Sequence, residues 1–114
     1  MTDHTVKAFT EQLEGLTALV AQMGGLAEAQ FAAAIEAISR RDSNAAESAV
    51  GGDARIDAIQ QEIEDRALKL LALRQPMAVD LRETLAAIKT AAELERIGDL
   101  AKNIAKRALV LNRE

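Results

Sequence analysis

Apolar residues recur at alternating spacings of three and four along three long stretches of this chain, the pattern of helices packed in a bundle. The first stretch runs from about Asp3 or Thr5 to about Arg40, and its apolar line is Leu13, Leu16, Val20, Met23, Ala27, Ala34 and Ile38. Gly24-Gly25 interrupts it and predicts a kink or a close helix approach. Arg41-Asp42-Ser43 reads as a turn, with Asp42 or Ser43 capping the next helix. The second stretch runs from about Ser43 to Leu73 on the line Ile56, Ile59, Ile63, Ala67 and Leu70. Gly51-Gly52 weakens it by about 1 kcal/mol per glycine, yet the periodicity predicts one continuous helix. Arg74-Gln75-Pro76 ends it, because proline disfavours helix at the residue before it and suits the first turn of the next. The third stretch runs from about Pro76 or Met77 to Asn112. Its line begins as Leu81, Leu85, Ile88 and Ala92, and the same step continues to Glu95 and Asp99. Leu94, Ile97, Ala101, Ile104, Ala108 and Leu111 make a second line, so this helix is expected to change its buried face midway.

Short connections make neighbouring helices antiparallel. The expected fold is all-α, an elongated antiparallel three-helix bundle forming a single domain over residues 1–114. At 1.5 Å per residue the helices are roughly 45–55 Å long. One layer of three helices leaves apolar surface uncovered, which predicts packing against a second copy, a homodimer, or a partner.

Composition narrows the core and the chemistry. Apolar residues make up 49% of the 114, but aromatics only 2%, with no Trp or Tyr, so the core is aliphatic. A net charge of −4 without a basic cluster argues against nucleic-acid binding. The absence of cysteine excludes disulfides, thiol catalysis and thiolate metal sites. No apolar run is expected to approach the roughly 20 residues of a membrane span. Met1-Thr2-Asp3-His4 lacks the basic and apolar segments of a signal peptide. A soluble, cytoplasmic protein without direct membrane insertion is the expectation.

The strongest chemical clue is a set of acids. Asp53 with Asp57, and Glu95 with Asp99, are pairs four residues apart on adjacent helices. Like charges at that spacing repel and cost a few tenths of a kcal/mol, so helix stability does not explain them. Counting from the turn at Gln75, Asp57 lies 18 residues before and Glu95 20 after, while Asp53 and Asp99 lie 22 before and 24 after. Antiparallel pairing therefore sets Asp57 near Glu95 and Asp53 near Asp99, in one groove between the second and third helices. Four carboxylates suit a hard divalent or trivalent cation such as iron, manganese or magnesium. The competing reading is a solvated acidic face, or acids paired with Arg55, Arg96 or Lys102. Glu64 lies on the same side of the second helix. Arg74, Gln75, Asp80 and Arg82 offer an anion contact at the bundle end, though a helix cap with solvated charges explains them more simply. His4 is the single histidine, so the Glu-x-x-His motifs of di-iron bundles are missing. With no Ser-His pairing and no Walker loop either, the chain is not expected to be an enzyme. A metal-dependent carboxylate enzyme and a metal-binding structural or dimerisation bundle stand as alternatives.

The strings Arg74-Gln75-Pro76-Met77-Ala78-Val79-Asp80-Leu81-Arg82 and Glu93-Leu94-Glu95-Arg96-Ile97-Gly98-Asp99 closely resemble the PhoU family of bacterial phosphate-signalling regulators. Met23-Gly24-Gly25 and the acid run from Asp53 to Asp57 resemble it too, and the likeness spans about Phe9 to Leu111. The resemblance implies an all-helical protein of two three-helix repeats, of which this chain matches one, as the N-terminal half of a longer protein or as a single-repeat relative. It implies a cytoplasmic negative regulator of phosphate uptake and phosphate-starvation signalling, linking the phosphate ABC transporter ATPase to a sensor histidine kinase. Some members bind multinuclear iron or other metals through acid motifs that map onto Asp53 with Asp57 and Glu95 with Asp99.

Overall fold

A computed structural model describes residues 3–74 and 78–113, with side chains described for 7–72 and 81–113. The elements are α1 (Asp3–Ser39), α2 (Ser43–Gly51), α3 (Asp53–Arg74) and α4 (Ala78–Asn112), and no strand occurs among the described residues. They form an elongated bundle of 66 × 18 × 16 Å, a rod long enough for the roughly 55 Å of a 37-residue helix. The end of α1 meets α2 and the end of α4, while its beginning meets the end of α3. The chain therefore runs up, down and up, as expected. Residues 75–77, where the sequence puts the second turn at Gln75-Pro76, lie outside the described residues, as does the side chain of His4.

The first turn closes α1 by backbone bonds. The Arg40 amide donates to Glu36 at 2.9 Å and the Asp42 amide to Ala37 at 3.2 Å. Between them Arg41 takes φ 52, the left-handed conformation that ends many helices and that glycine usually supplies. Its guanidinium donates to the Leu111 carbonyl at 3.2 Å, tying the turn to the end of α4. Asp42 then caps α2, its Oδ1 accepting from the amides of Asn44 and Ala45.

Three expectations need correction. The second helix is not continuous, since it breaks at Gly52 into α2 and α3. Gly52 keeps near-helical angles (φ −72, ψ −15) and donates to Ser48, so the break is a local interruption that two adjacent glycines make inexpensive. Gly24-Gly25 lies within one continuous α1, and a Cβ on Gly24 would lie 3.9 Å from Leu94 Cδ1 of α4, so this reading needs no correction. The most instructive difference is in α4. Leu81, Leu85 and Ala92 are exposed and Ile88 is half-buried, whereas Thr84, Ala87, Ala91, Gly98, Ala101, Ala105 and Ala108 are buried, with Leu94 partly so. That is one unbroken line at spacings of three and four, so the helix never changes face. Small residues hold it because α4 packs against α1, α2 and α3 together.

The third correction concerns hydropathy. Among the described residues one helical stretch, Lys7–Ser39, is long and apolar enough to cross a membrane by length and composition. Most of that window faces outward, because exposed alanines score as apolar. Its inward line, Phe9, Leu13, Leu16, Met23 and Ala27, packs into the bundle core.

The core has two parts. Around α3, large side chains pack together: Phe9, Leu13, Leu16 and Met23 from α1 against Ile56, Ile59, Ile63 and Leu70 from α3, with Ala87 and Ala91 of α4 beneath them. Around α2 the fully buried residues are all alanine: Ala34, Ala37, Ala46, Ala49, Ala101, Ala105 and Ala108.

Candidate functional site

Between the two cores lies a polar junction. α1 contributes Gln30, which occupies a core position between Ala27 and Ala34 and is buried. Its Nε2 donates to the Ala49 carbonyl at 2.6 Å. Carbonyls in the last turn of a helix lack intrahelical partners, so Gln30 satisfies the end of α2 where the glycines interrupt it. Gln30 Oε1 has no partner and faces Gly98 of α4, whose missing side chain makes the space: a Cβ there would lie 3.1 Å from Gln30 Oε1 and 3.1 Å from Ile56 Cδ1.

The break also begins α3 at Asp53, and the predicted acids gather here. Asp53 is buried at 9% exposure, Glu95 is half-buried, and Asp57 and Asp99 are exposed. Their charges reach one another. The carboxyl of Asp57 is held above its ordinary value first by desolvation, then by the neighbouring Asp53 carboxylate and by Asp99, while Lys102 pulls it down. Glu95 is raised first by desolvation, then by Asp57, Asp99 and Asp53, with Arg96 opposing. All four expected residues thus share one neighbourhood, while Glu64 contributes to neither shift.

Asp53 Oδ2 accepts from Lys102 Nζ at 3.2 Å, a tie between α3 and α4. The other oxygen, Oδ1, is buried and has no hydrogen-bond partner. The donor chemistry fits a hard cation, since all the side chains are carboxylates and one buried oxygen is unspoken for. Among the described residues, however, no three carboxylate or histidine side chains converge on a single point that would hold an ion. Arg82, from the anion-contact set at the other bundle end, is exposed.

Gln30 was absent from the sequence reading, although the signal was there: a polar residue in step with α1's apolar line, 3 after Ala27 and 4 before Ala34. Lys102 was foreseen only as one of several bases able to pair with the acids.

Comparison with known proteins agrees with the family resemblance of the sequence. The PhoU domain family matches residues 20–108. A "Phosphate-specific transport system accessory protein PhoU homolog" of Caulobacter vibrioides is 59% identical over 97% of this chain and 48% of its own length. A protein of the same name in Xylella fastidiosa is 46% identical over 96% of this chain and 45% of its own. The Edwardsiella tarda accessory protein PhoU is 43% identical over 93% and 44%. The chain thus spans about half the length of these relatives, which are named as transport accessory proteins and not as enzymes. A family match over most of the chain, together with identities well above 30% across nearly all of it, makes this chain a member of the PhoU family.

Proposed function

We propose that this chain is a regulatory helical module of phosphate-specific transport. It acts in the cytoplasm as a negative regulator of phosphate uptake and starvation signalling, against the ATPase of a phosphate ABC transporter and a sensor histidine kinase. The observation that carries this reading is the 59% identity, over 97% of the chain, to a protein named for accessory function in that transport system. The surface supports a binding role. Leu81, Leu85, Ile97 and Leu100 on α4, and Phe31 and Ile35 on α1, are all exposed. Gly24, Ala27, Phe31, Leu94 and Ile97 line an open, apolar groove between the two helices. Apolar surface of this kind marks protein contacts. A second copy of the chain can use the same surface, so a homodimer at micromolar concentration belongs to the proposal, with sedimentation as its check.

The test is capture from membranes carrying the transporter, using the intact chain as bait. The ATPase subunit is expected in the eluate, and Leu85→Asp with Ile97→Asp should remove it while leaving helix content unchanged. An eluate without the ATPase, or one indifferent to both changes, overturns the assignment.

The unpartnered Asp53 Oδ1 favours a second property, binding of a divalent or trivalent cation by Asp53, Asp57, Glu95 and Asp99. Binding should relieve the mutual repulsion and raise the melting temperature by linkage. Glu95→Gln with Asp99→Asn should abolish the shift given by Mn²⁺ or Fe³⁺. A wild-type melting temperature unmoved by Mn²⁺, Mg²⁺ and Fe³⁺ refutes this property without touching the transport reading.

A further inference from the structure

The two sides of Gly52 are held very differently. After it, α3 is anchored at its start: Ile56 is buried against Gly98, and Asp53 Oδ2 accepts from Lys102 Nζ at 3.2 Å. Before it, α2 buries only Ala46 and Ala49, so leaving its seat exposes little apolar surface. Its nine residues are fewer than the roughly 12–15 that a helix needs to persist alone, so α2 depends on its few contacts. At its N-terminal end the ties to α4 lie in solvent: Arg41 to the Leu111 carbonyl and Asn112 to Ser43 Oγ, each at 3.2 Å. At its C-terminal end the tie is buried, with Gln30 Nε2 donating to the Ala49 carbonyl at 2.6 Å. The backbone can turn at both ends. Arg41 already stands at φ 52, and a Cβ on Gly51 would meet nothing within 4 Å. Packing does not ask for glycine at 51, but backbone freedom uses it.

We propose that α2 is a releasable strap. It leaves its seat on α1 and α4 as one unit, turning about Arg41 and Gly51-Gly52, while α1, α3 and α4 stay packed. Gln30 is its latch, a positioning residue that sets how often the strap is open. Release uncovers Ala34 and Ala37 of α1 and Ala101, Ala105 and Ala108 of α4, a methyl-lined seat whose occupant is α2 itself. An element with few buried apolar contacts opens at less cost than global unfolding, whereas α3 is held by Ile56, Ile59, Ile63 and Leu70. Neither the transport reading nor the cation reading is needed for this.

The experiment is native-state hydrogen exchange of the intact chain at low urea, read by mass spectrometry. In wild type, amides of residues 46–51 should exchange at least about tenfold faster than those of residues 59–70, with a weaker urea dependence, because opening α2 exposes little surface. Ile63→Val should speed exchange in α3 about fivefold and leave α2 unchanged, because Ile63 stays packed while the strap is open. Gln30→Met keeps the side chain's length but strands the Ala49 carbonyl, and should speed α2 exchange about tenfold at the same weak urea dependence. Gly51→Ala, which stiffens one hinge, should slow it about threefold. Equal rates and urea slopes in α2 and α3, both raised alike by Ile63→Val, overturn the strap. A faster α2 that ignores Gln30→Met overturns the latch, and one that ignores Gly51→Ala overturns the hinge. Should Gln30→Met not fold, wild type and Ile63→Val still decide whether α2 opens by itself.

Discussion

Around α3 the bundle is filled by large side chains, and around α2 by methyl groups. In the first half, Leu16, Ile56, Ile63 and Leu70 are almost wholly buried, and α4 answers them with Thr84, Ala87 and Ala91. In the second, all three walls present alanine, and larger neighbours such as Val50, Ile104 and Leu109 only edge the contact. The two halves reach stability by different routes. A buried Leu or Ile contributes roughly 1.5–3 kcal/mol of transfer energy and loses side-chain entropy. Alanine contributes much less but loses no rotamer freedom, and it lets the helices approach closely. The first half is therefore sensitive to what is removed, and the second to what is added. The polar junction of Gln30, Asp53, Gly98 and Lys102 lies where these two spacings meet.

The sharpest way to break this contrast is a pair of opposite substitutions. Ile63→Ala, in the aliphatic half, should cost about 3 kcal/mol in denaturant unfolding through lost transfer energy and a residual cavity. Ala105→Leu, in the alanine half, gains apolar atoms yet should cost about 2 kcal/mol, because Ala105 is wholly buried where the helices meet through alanine and the larger side chain must overpack that contact. If Ala105→Leu stabilises the chain, the alanine core is loosely packed and the contrast fails.

The same contrast explains which parts of the fold were legible. The lines on α1 and α3 were readable because Leu13, Leu16, Ile56, Ile59 and Ile63 are both large and inward. The line on α4 was misread because hydrophobicity favours Leu81, Leu85 and Ile88, while a helix enclosed by three neighbours selects for smallness instead. A search for small residues at spacings of three and four would have found Thr84, Ala87, Ala91, Gly98, Ala101, Ala105 and Ala108. The acid neighbourhood was readable because antiparallel register is arithmetic about a turn. What register cannot supply is the rotamer of a long side chain, and so the choice of Lys102 over Arg55 or Arg96 as partner of Asp53 emerged only in three dimensions. The break at Gly52 was missed for a related reason: Gln30, whose amide donates to the Ala49 carbonyl at the end of α2, comes from another helix.

Two glycines sharpen the comparison at the junction. A Cβ on Gly25 meets nothing within 4 Å, so Gly25→Ala should stabilise by about 0.5–1 kcal/mol through backbone entropy alone. Gly98→Ala enjoys the same gain but places its methyl 3.1 Å from both Gln30 Oε1 and Ile56 Cδ1. Gln30 cannot easily yield, since its amide is held on Ala49 at 2.6 Å. Gly98→Ala should end about 1 kcal/mol or more below Gly25→Ala. Equal melting temperatures for the two variants would mean that the junction is softer than its geometry.

The smallest effect expected is electrostatic, and its sign is fixed by the direction of the shifts. Asp57 and Glu95 hold protons more tightly in the folded chain than at their ordinary values of 3.8 and 4.5. Between each ordinary value and the raised one the folded state binds more protons than the unfolded, so stability falls as pH rises through that window. The penalty is complete above the raised values and absent below the ordinary ones. Glu95→Gln should therefore stabilise the metal-free chain near neutral pH, and its advantage over wild type should shrink as the solution is acidified. Asp57→Asn should behave likewise but gain less, because Asp57 is exposed, solvent screens it, and Lys102 already offsets part of its repulsion. Melting curves across pH for both variants read this directly. A wild type more stable than Glu95→Gln near neutral pH would mean that the carboxylate is stabilised where it stands, and that the junction is an ion-pair network instead of a cluster of competing acids.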